Sequence, residues 1–317
     1  MKERILVLGA SGFIGRQVVA ALSASDWATP IAARRRASAP GQPSILQLDA
    51  TDAAQLRPAL EGVTGVVNCV AGGGETIVKN AQALFGAAAA LARPPRIVHL
   101  SSLAVYGDLA GEVAEAAAPG TGLSPYGAAK FEAERLAAAC PSVVVLRLGI
   151  VYGPGSSQWS ERIAKLLRAH RLGDLGNGGD GCCNLLYVAD AVAAILRSLR
   201  LPESGVFNLA GPDFPTWNEY FSRFALALGA VPLARISGRR LRIESKALAP
   251  PLKVIEIVAG KALPRLARHL PPPIPPSLVR LFAQDIRMKA EAAERALGIA
   301  WTPLEQGLAL TSAALAG

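Results

Sequence analysis

The sequence has little of what disulfide-rich, zinc-binding and membrane-spanning proteins need. It contains only 4 cysteines among 317 residues, and none are spaced as Cys-x-x-Cys, which argues against a disulfide scaffold or a structural zinc site. No apolar run reaches the ~18 residues that a transmembrane helix requires. The apolar run Ile5–Leu8 is too short for the hydrophobic region of a signal peptide. We therefore expect a cytoplasmic protein with no bound metal.

Charged residues are also scarce, at 18%, while hydrophobic residues reach 51%, which excludes a disordered chain. The formal net charge of +9 comes from one segment, since residues 235–289 hold 12 Lys/Arg and 3 Asp/Glu. These bases are not interleaved with aromatic residues, so nucleic acid is not an expected partner. Three interpretations stay open: binding of an anionic substrate, peripheral contact with an acidic membrane, or a solvated face that covers apolar surface.

Short apolar runs alternate with helical segments through the first half of the chain. The predicted strands are Ile5–Leu8, Pro30–Ala33, Ile45–Leu48, Gly65–Val70, Arg96–Leu100 and Val143–Leu148. Nearly continuous apolar strands separated by helices are typical of a parallel sheet that is covered on both faces. The sequence therefore predicts an α/β fold with a doubly wound parallel Rossmann sheet.

The alternation of strands and helices ends near Gly155. Helical stretches then dominate, and residues 271–276 include five prolines, which exclude a helix or a central strand there. We expect a Rossmann domain made of residues 1–155 together with about 185–212. Residues from about 156 to 184 and from 213 to 317 are expected to form a smaller, mainly helical C-terminal substrate lobe.

A glycine-rich turn follows the first predicted strand and opens the first helix. It consists of Gly9, Ala10, Ser11, Gly12, Phe13, Ile14 and Gly15. Glycines allow a tight turn and close approach of the backbone to a pyrophosphate, and the helix N-terminus presents N–H groups and a positive dipole. The pattern therefore predicts a dinucleotide site.

The residues after the second and third strands bear on the type of cofactor. Arg34, Arg35 and Arg36 follow the second strand, where an acidic residue would bind the 2′-hydroxyl of NAD. Because arginine can grip a 2′-phosphate, we expect NADP to be preferred, with NAD still possible. Asp49 follows the third strand and is expected either to accept from the adenine amino group or to cap the next helix.

A tyrosine and a lysine are spaced to share one face of a helix. Tyr126 and Lys130 stand at i and i+4. A lysine cation stabilises phenolate, so this tyrosine is a candidate proton donor for a reaction that transfers hydride to a carbonyl. Ser101 and Ser102 end the fifth strand, and a doubly wound sheet binds its ligands at the strand C-termini. We therefore expect Ser102 to hydrogen-bond the same substrate oxygen.

Several motifs occur in one order over nearly the whole chain. They are GASGFIG at 9–15, LSSLAVYG at 100–107, SPYGAAK at 124–130, RLGIVYGPG at 147–155, LLYVADAV at 185–192, FNLAG at 207–211 and LGIAWTPLEQGL at 297–308. With these motifs the chain resembles the extended short-chain dehydrogenase/reductase family, in its NAD-dependent epimerase/dehydratase group.

The resemblance implies roles for particular residues. Tyr126 would be the catalytic acid/base, Lys130 its partner and a ligand of the nicotinamide ribose, and Ser102 a ligand of the substrate oxygen. The same resemblance implies that Val70 and Ala71 flank the cofactor. It also implies that Asp49, with the adjoining Ala50, meets the adenine, and it suggests a homodimer through helices of the first lobe.

The chain departs from the nucleotide-sugar enzymes of this group at one position. Cys183 stands where those enzymes carry an arginine that reaches the substrate diphosphate. We therefore expect an NADP-linked reductase or dehydrogenase that acts on another small molecule. A nucleotide-sugar epimerase or dehydratase stays open, since Arg239, Arg240 and Arg242 could bind a diphosphate. A non-catalytic NADP sensor is the third alternative, but a sensor would not need the Ser102, Tyr126 and Lys130 set.

Overall fold

The computed structural model describes residues 2–35, 45–140, 142–262 and 272–316. Arg36 and residues 263–271 of the basic segment, both considered above, lie outside these ranges. No helix in the described ranges is long and apolar enough to cross a membrane.

The chain alternates strands and helices up to residue 149 and is mainly helical afterwards. The strands are β1 (Glu3–Leu8), β2 (Ala28–Arg34), β3 (Leu46–Gln47), β4 (Gly65–Asn68), β5 (Arg96–Ser102), β6 (Gly111–Val113), β7 (Val143–Leu148), β8 (Ile150–Tyr152), β9 (Leu185–Tyr187), β10 (Gly205–Leu209) and β11 (Ile286–Met288). The helices are α1 (Phe13–Ala24), α2 (Ala53–Leu60), α3 (Gly74–Ala89), α4 (Pro125–Ala137), α5 (Arg162–Arg168), α6 (Val188–Arg200), α7 (Trp217–Ala227), α8 (Gly238–Ile243), α9 (Ala249–Ala262), α10 (Pro276–Phe282), α11 (Glu291–Leu297) and α12 (Leu304–Ala316).

Two compact units share the chain. Unit 1 comprises residues 1–149, 188–210 and 288–301, and unit 2 comprises residues 150–187, 211–287 and 302–317. The sequence analysis placed residues 150–155 and 185–187 in the first lobe, whereas the structure groups them with unit 2. It also placed residues 288–301 in the second lobe, whereas the structure groups them with unit 1. This difference has a physical cause: the backbone N–H of Lys289 donates to Val113 O at 2.9 Å, a pairing that no local pattern reveals.

A seven-stranded sheet forms the centre of unit 1. Its strand order is β10-β7-β5-β4-β1-β2-β3, and the neighbouring strands run parallel. The order reverses between β1 and β4, where a doubly wound sheet leaves a crevice beyond its strand C-termini. This arrangement confirms the predicted doubly wound Rossmann sheet.

The inner strands explain why this sheet is buried on both faces. Every residue of β4 and β7 is buried, and so are the last four residues of β1. Such continuous burial requires a helical layer on each face of the sheet. Helices α3 and α4 pack together, and α1 packs against α6. The sheet is therefore a rigid base for the loops at its C-terminal edge.

Unit 2 has a core of aromatic side chains. Trp217, Tyr220, Phe221 and Phe224 lie along α7, and all four are fully buried. The ring of Phe282 lies with its centroid 4.8 Å from that of Trp217. Helix α7 starts in a capping box, because the Thr216 and Glu219 side chains bond each other's backbone N–H groups. A tightly capped helix thereby fixes the aromatic cluster.

Candidate active site and cofactor site

The glycine-rich turn lies at the crevice between β1 and β4. Gly9 has φ of +73°, and a Cβ there would lie 2.8 Å from Cys69 O at the end of β4. Only glycine combines this backbone conformation with such a close approach. The turn closes with a hydrogen bond of 2.9 Å from Gly12 N to Gly9 O.

The N-terminus of α1 is suited to an anion. Gly12 caps the helix without a side-chain hydrogen bond, and no acidic residue occupies the first turn. A Cβ on Gly15 would lie 2.9 Å from Ala10 Cα, so this glycine lets the helix pack closely against the turn. The first N–H groups of α1 therefore face the turn with the positive end of the helix dipole. Gly9–Gly15 thus fit the pyrophosphate of a dinucleotide.

The loops after β2 and β3 hold the residues considered for the cofactor type. Arg34 is half-buried, while Arg35 is exposed. Asp49 Oδ1 accepts from Thr51 N at 2.9 Å and from Thr51 Oγ1 at 2.7 Å. These hydrogen bonds, with a smaller contribution from Arg35, lower the pKa of Asp49 below its usual value. Asp49 is therefore an anion at neutral pH beside a basic turn.

The alternative role of Asp49 as a helix cap is wrong. The residue that caps α2 is Asp52, whose side chain accepts from Ala54 N at 2.9 Å. Asp49 lies three residues earlier and uses its carboxylate in a turn with Thr51. Asp52 caps α2 because it directly precedes Ala53, the first residue of the helix.

A buried amide pair, which the sequence analysis missed, supports the cofactor loops. Asn68, the last residue of β4, donates to Asn80 Oδ1 at 2.8 Å, and Asn80 donates to Ala50 O at the same distance. Val70 N donates to Asn68 Oδ1 at 3.3 Å. The pair therefore connects two loops that were predicted to flank the cofactor. Two asparagines twelve residues apart gave no pattern from which this contact could be inferred.

Helix α4 begins beside the end of β5. Ser124 caps the helix by accepting from Gly127 N at 3.1 Å, and Pro125 follows at the first helical position. A Cβ on Gly127 would lie 3.1 Å from the carbonyl carbon of Ala104, in the turn that follows β5. Gly127, between the predicted catalytic residues Tyr126 and Lys130, therefore lets α4 approach that turn closely.

This close approach brings Tyr126 to Ser102. Partial burial raises the pKa of Tyr126 above its usual value, and a hydrogen bond with the Ser102 side chain opposes that rise. Ser102 Oγ also accepts from Ala104 N at 3.2 Å. The Tyr126 side chain remains 42% exposed, so a ligand can reach it. At neutral pH this phenol carries its proton.

Lys130 lies one turn further along α4 and is 3% exposed. Its Nζ donates to Leu100 O at 2.7 Å and lies 6.0 Å from the centre of the Tyr126 ring. Burial lowers the pKa of Lys130 to about 8, while Cys69 and Glu134 act in the opposite direction. Because burial also raises the pKa of Cys69 to about 12, that thiol is neutral at pH 7. With a pKa of about 8, Lys130 carries its proton at pH 7, and Glu134 is one of the neighbours that favour this charged form.

Glu134 belongs to a buried cluster that the sequence analysis also missed. Arg147 Nη2 donates to Glu134 Oε2 at 2.7 Å, and each side chain is 7% exposed. Ser101 Oγ donates to Glu134 Oε1 at 2.5 Å, and Arg147 Nη1 donates to Tyr106 Oη at 2.9 Å. The sequence did contain an indication of this cluster, because Arg147 lies within the apolar strand VVVLRL and a buried arginine requires an acceptor.

These features define a class of protein, the α/β enzymes whose doubly wound sheet carries a dinucleotide. The family model "NAD dependent epimerase/dehydratase family" matches residues 5–210. The chain belongs to this family, and membership supports an enzyme that uses NAD.

Two curated relatives and one solved structure are similar to this chain. Protein YeeZ of Escherichia coli (strain K12) is 31% identical over 44% of this chain and 48% of its own, so the match spans about half the length of that relative. Ceramide reductase of Caulobacter vibrioides is 27% identical over 72% of this chain and 71% of its own. The structure of UDP-glucuronic acid 4-epimerase from Bacillus cereus, in complex with UDP-glucuronic acid and NAD, is 18% identical with a TM-score of 0.73, and the match covers 99% of each chain.

Proposed function

We propose that the chain transfers hydride reversibly between NADP(H) and a carbonyl or hydroxyl group of a small molecule, with Tyr126 as the acid/base. The supporting observation is the meeting of Ser102, Tyr126 and Lys130 at the C-terminal end of β5. Strand C-termini are where a doubly wound sheet binds its ligands. The bound nicotinamide would supply or accept the hydride.

Ser102, Tyr126 and Lys130 carry out the proton transfer that accompanies the hydride transfer. Tyr126 donates its proton to the substrate oxygen in the reducing direction and removes it in the other. The Ser102 hydroxyl holds that oxygen, so negative charge that develops there meets a fixed donor. The Lys130 cation stabilises the phenolate that Tyr126 becomes, and the nearby Glu134 favours the charged form of Lys130.

The cofactor assignment rests on the glycine-rich turn and on the residues that end or follow β2, β3 and β4. Gly9–Gly15 would hold the pyrophosphate on the N-terminus of α1. Asp49, Ala50, Val70 and Ala71 would contact the adenosine end and the middle of the cofactor. Arg34 and Arg35 favour NADP, because a guanidinium can bind a 2′-phosphate through paired hydrogen bonds.

A nucleotide-sugar epimerase or dehydratase is the second candidate. It is supported by the fold likeness to an enzyme solved with UDP-glucuronic acid and NAD. Cys183 speaks against it, because this residue stands at the expected arginine position and is fully buried. The relative named ceramide reductase shows that a reductase name also occurs among the matches. We therefore favour the reductase or dehydrogenase.

The test is the substitution Tyr126→Phe, which removes the phenol hydroxyl and keeps the ring. Loss of a general acid costs about 10²–10⁴ in rate, so turnover of carbonyl substrates with NADPH is expected to fall by that factor. NADPH binding, followed by cofactor fluorescence, should change little. Turnover that survives in the variant would overturn the mechanism. Epimerisation of UDP-sugars by the unchanged protein, without carbonyl reduction, would favour the second candidate.

A further inference from the structure

A long helical segment of unit 2 has an exposed apolar side. Helix α8 continues through a wider turn, Glu244–Leu248, into α9, so that residues 238–262 form one helical rod. We propose that the exposed apolar side of this rod rests on the surface of a bilayer that contains anionic lipid. The inference does not rest on the proposed hydride transfer.

One side of the rod packs into unit 2. Leu241, Ser245 and Ala249 recur every four residues, and all three are buried. Residues four apart lie one above another on a helix, so these three form a single buried stripe. Glu244 lies beside this stripe, is 8% exposed and pairs with Arg171. The buried stripe thereby determines which side of the rod faces outwards.

The opposite side of the rod is exposed and apolar. Four residues also recur every four positions, each two positions after a member of the buried stripe or its continuation: Ile243, Ala247, Pro251 and Ile255. A shift of two residues is about 200° around a helix, so these four lie opposite the buried stripe. All four are exposed, and the two isoleucines retain 50% and 46% of their surface. We call this set the outer stripe.

The composition of the outer stripe is the reverse of what a surface helix normally shows, since the outward face of such a helix carries polar residues. Leu248 and Val254, beside the outer stripe, are exposed as well, at 44% and 60%. Long basic side chains can cover aliphatic surface, but here about half of each large aliphatic side chain stays uncovered. The rod therefore presents a continuous apolar surface to a partner.

Cations lie beside the outer stripe. Arg239 stands four residues before Ile243, and Arg242 and Lys246 each directly precede a member of the stripe. All three are exposed, and among the residues that the structure describes none of them forms an ion pair. Aliphatic side chains with lysine and arginine beside them are typical of a helix that lies among the headgroups of an anionic membrane.

Two other partners fit this surface less well. Residues 237–255 include no aromatic side chain on which bases could stack, which disfavours nucleic acid. A second copy, with its outer stripe against this one, would bring the flanking cations of both chains close together. In an anionic bilayer the lipid phosphates oppose these cations, and the acyl chains below them accept the outer stripe.

The experiment is cosedimentation of the whole protein with vesicles of phosphatidylcholine, with and without phosphatidylglycerol. We expect tight binding only to the vesicles that contain phosphatidylglycerol. Each cation near an anionic surface strengthens binding about fivefold. The triple variant Arg239→Ala/Arg242→Ala/Lys246→Ala should therefore lower the affinity at least about tenfold.

A second triple variant controls for net charge. Arg57→Ala/Arg93→Ala/Arg295→Ala removes the same charge from exposed positions of unit 1. Because salt screens charges that are far from the lipid surface, this variant should lose less than about twofold in affinity. Equal losses in the two triple variants would overturn the proposal in favour of adsorption by net charge.

A pair of double variants tests the apolar contact. Ile243→Gln/Ile255→Gln should weaken vesicle binding at least about fivefold, because the outer stripe then buries less apolar surface in the lipid. Leu226→Gln/Leu310→Gln is the matched control, since these leucines are 70% and 47% exposed elsewhere in unit 2. Equal binding by the two double variants would overturn the role of the outer stripe.

The wild-type protein supplies the remaining outcomes. Equal binding to both kinds of vesicle, or binding to neither, would overturn the proposal. Size-exclusion chromatography tests the second copy: a dimer that Ile243→Gln/Ile255→Gln separates, without any vesicle binding, would assign the outer stripe to a partner chain instead. Thermal melting verifies that every variant is folded.

Discussion

Unit 1 and unit 2 stabilise their interiors with different chemistry. Behind the candidate catalytic residues, unit 1 buries Ser101, Glu134 and Arg147 in one hydrogen-bonded cluster. Unit 2 instead packs five aromatic rings together, and one of them carries an unpartnered polar atom: among the described residues, no acceptor reaches Trp217 Nε1. The comparison teaches that the cluster behind the candidate catalytic residues depends on paired charges, whereas the aromatic cluster around α7 depends on packing. It concerns these two clusters, since unit 2 also pairs Arg171 with Glu244, and among the described residues no partner reaches His99 Nε2 in unit 1.

The largest effect is expected when the buried ion pair of unit 1 is broken. Arg147→Met would leave the Glu134 carboxylate buried without its cation, which costs about 3–5 kcal/mol of unfolding free energy. Arg135→Met is the matched control, since Arg135 lies on α4 but pairs with Glu132 at the surface. Exposed pairs of this kind contribute up to about 1 kcal/mol. Urea denaturation of both variants measures the difference, and similar losses would contradict the contrast between the units.

A smaller effect is expected in the aromatic core of unit 2. Trp217→Phe removes ring volume, but it also removes a buried N–H that has no acceptor among the described residues. Because these two consequences oppose each other, the loss should stay below about 1.5 kcal/mol. Urea denaturation measures this free energy as well. A loss as large as that of Arg147→Met would show that Trp217 Nε1 makes an important hydrogen bond after all.

The smallest effect concerns the surface of unit 1 at the end of β2. Arg35→Ala should reduce the preference for NADPH over NADH about fivefold, which is about 1 kcal/mol. The reason is the loss of one guanidinium that could bind the 2′-phosphate. Fluorescence titration with both cofactors measures the ratio. An unchanged ratio would make Arg35 a solvated surface residue.

The sequence revealed those parts of the site that are close together along the chain. Gly9–Gly15 are consecutive, and Tyr126 and Lys130 are four residues apart. Each of these sets could therefore be recognised within a short stretch of sequence. The six predicted strands were also placed correctly, since apolar runs identify buried parallel strands directly, but β10, the seventh strand of the sheet, was not predicted. The fold class followed from these runs alone.

The supporting cluster could not be predicted in the same way. Ser101 and Arg147 are neighbours only because β5 and β7 pair in a register that places them side by side. Glu134 reaches both of them from α4, which packs on those two strands. No short pattern encodes a contact between residues 33 positions apart, such as Ser101 and Glu134. Arg147, an arginine within an apolar strand, indicated only that a buried acceptor must exist and did not indicate which residue it is.

The strand order of unit 1 has a consequence for the nascent chain. On the ribosome, β7 is made soon after β5, but its other neighbour β10 begins only at Gly205. At synthesis rates of about 5–20 residues per second, the wait lasts for seconds. During that time an apolar strand presents an open row of N–H and C=O groups, to which a second copy could pair. The growing polypeptide is therefore most vulnerable to aggregation between the emergence of β7 and that of β10, when a holding chaperone would be of most use.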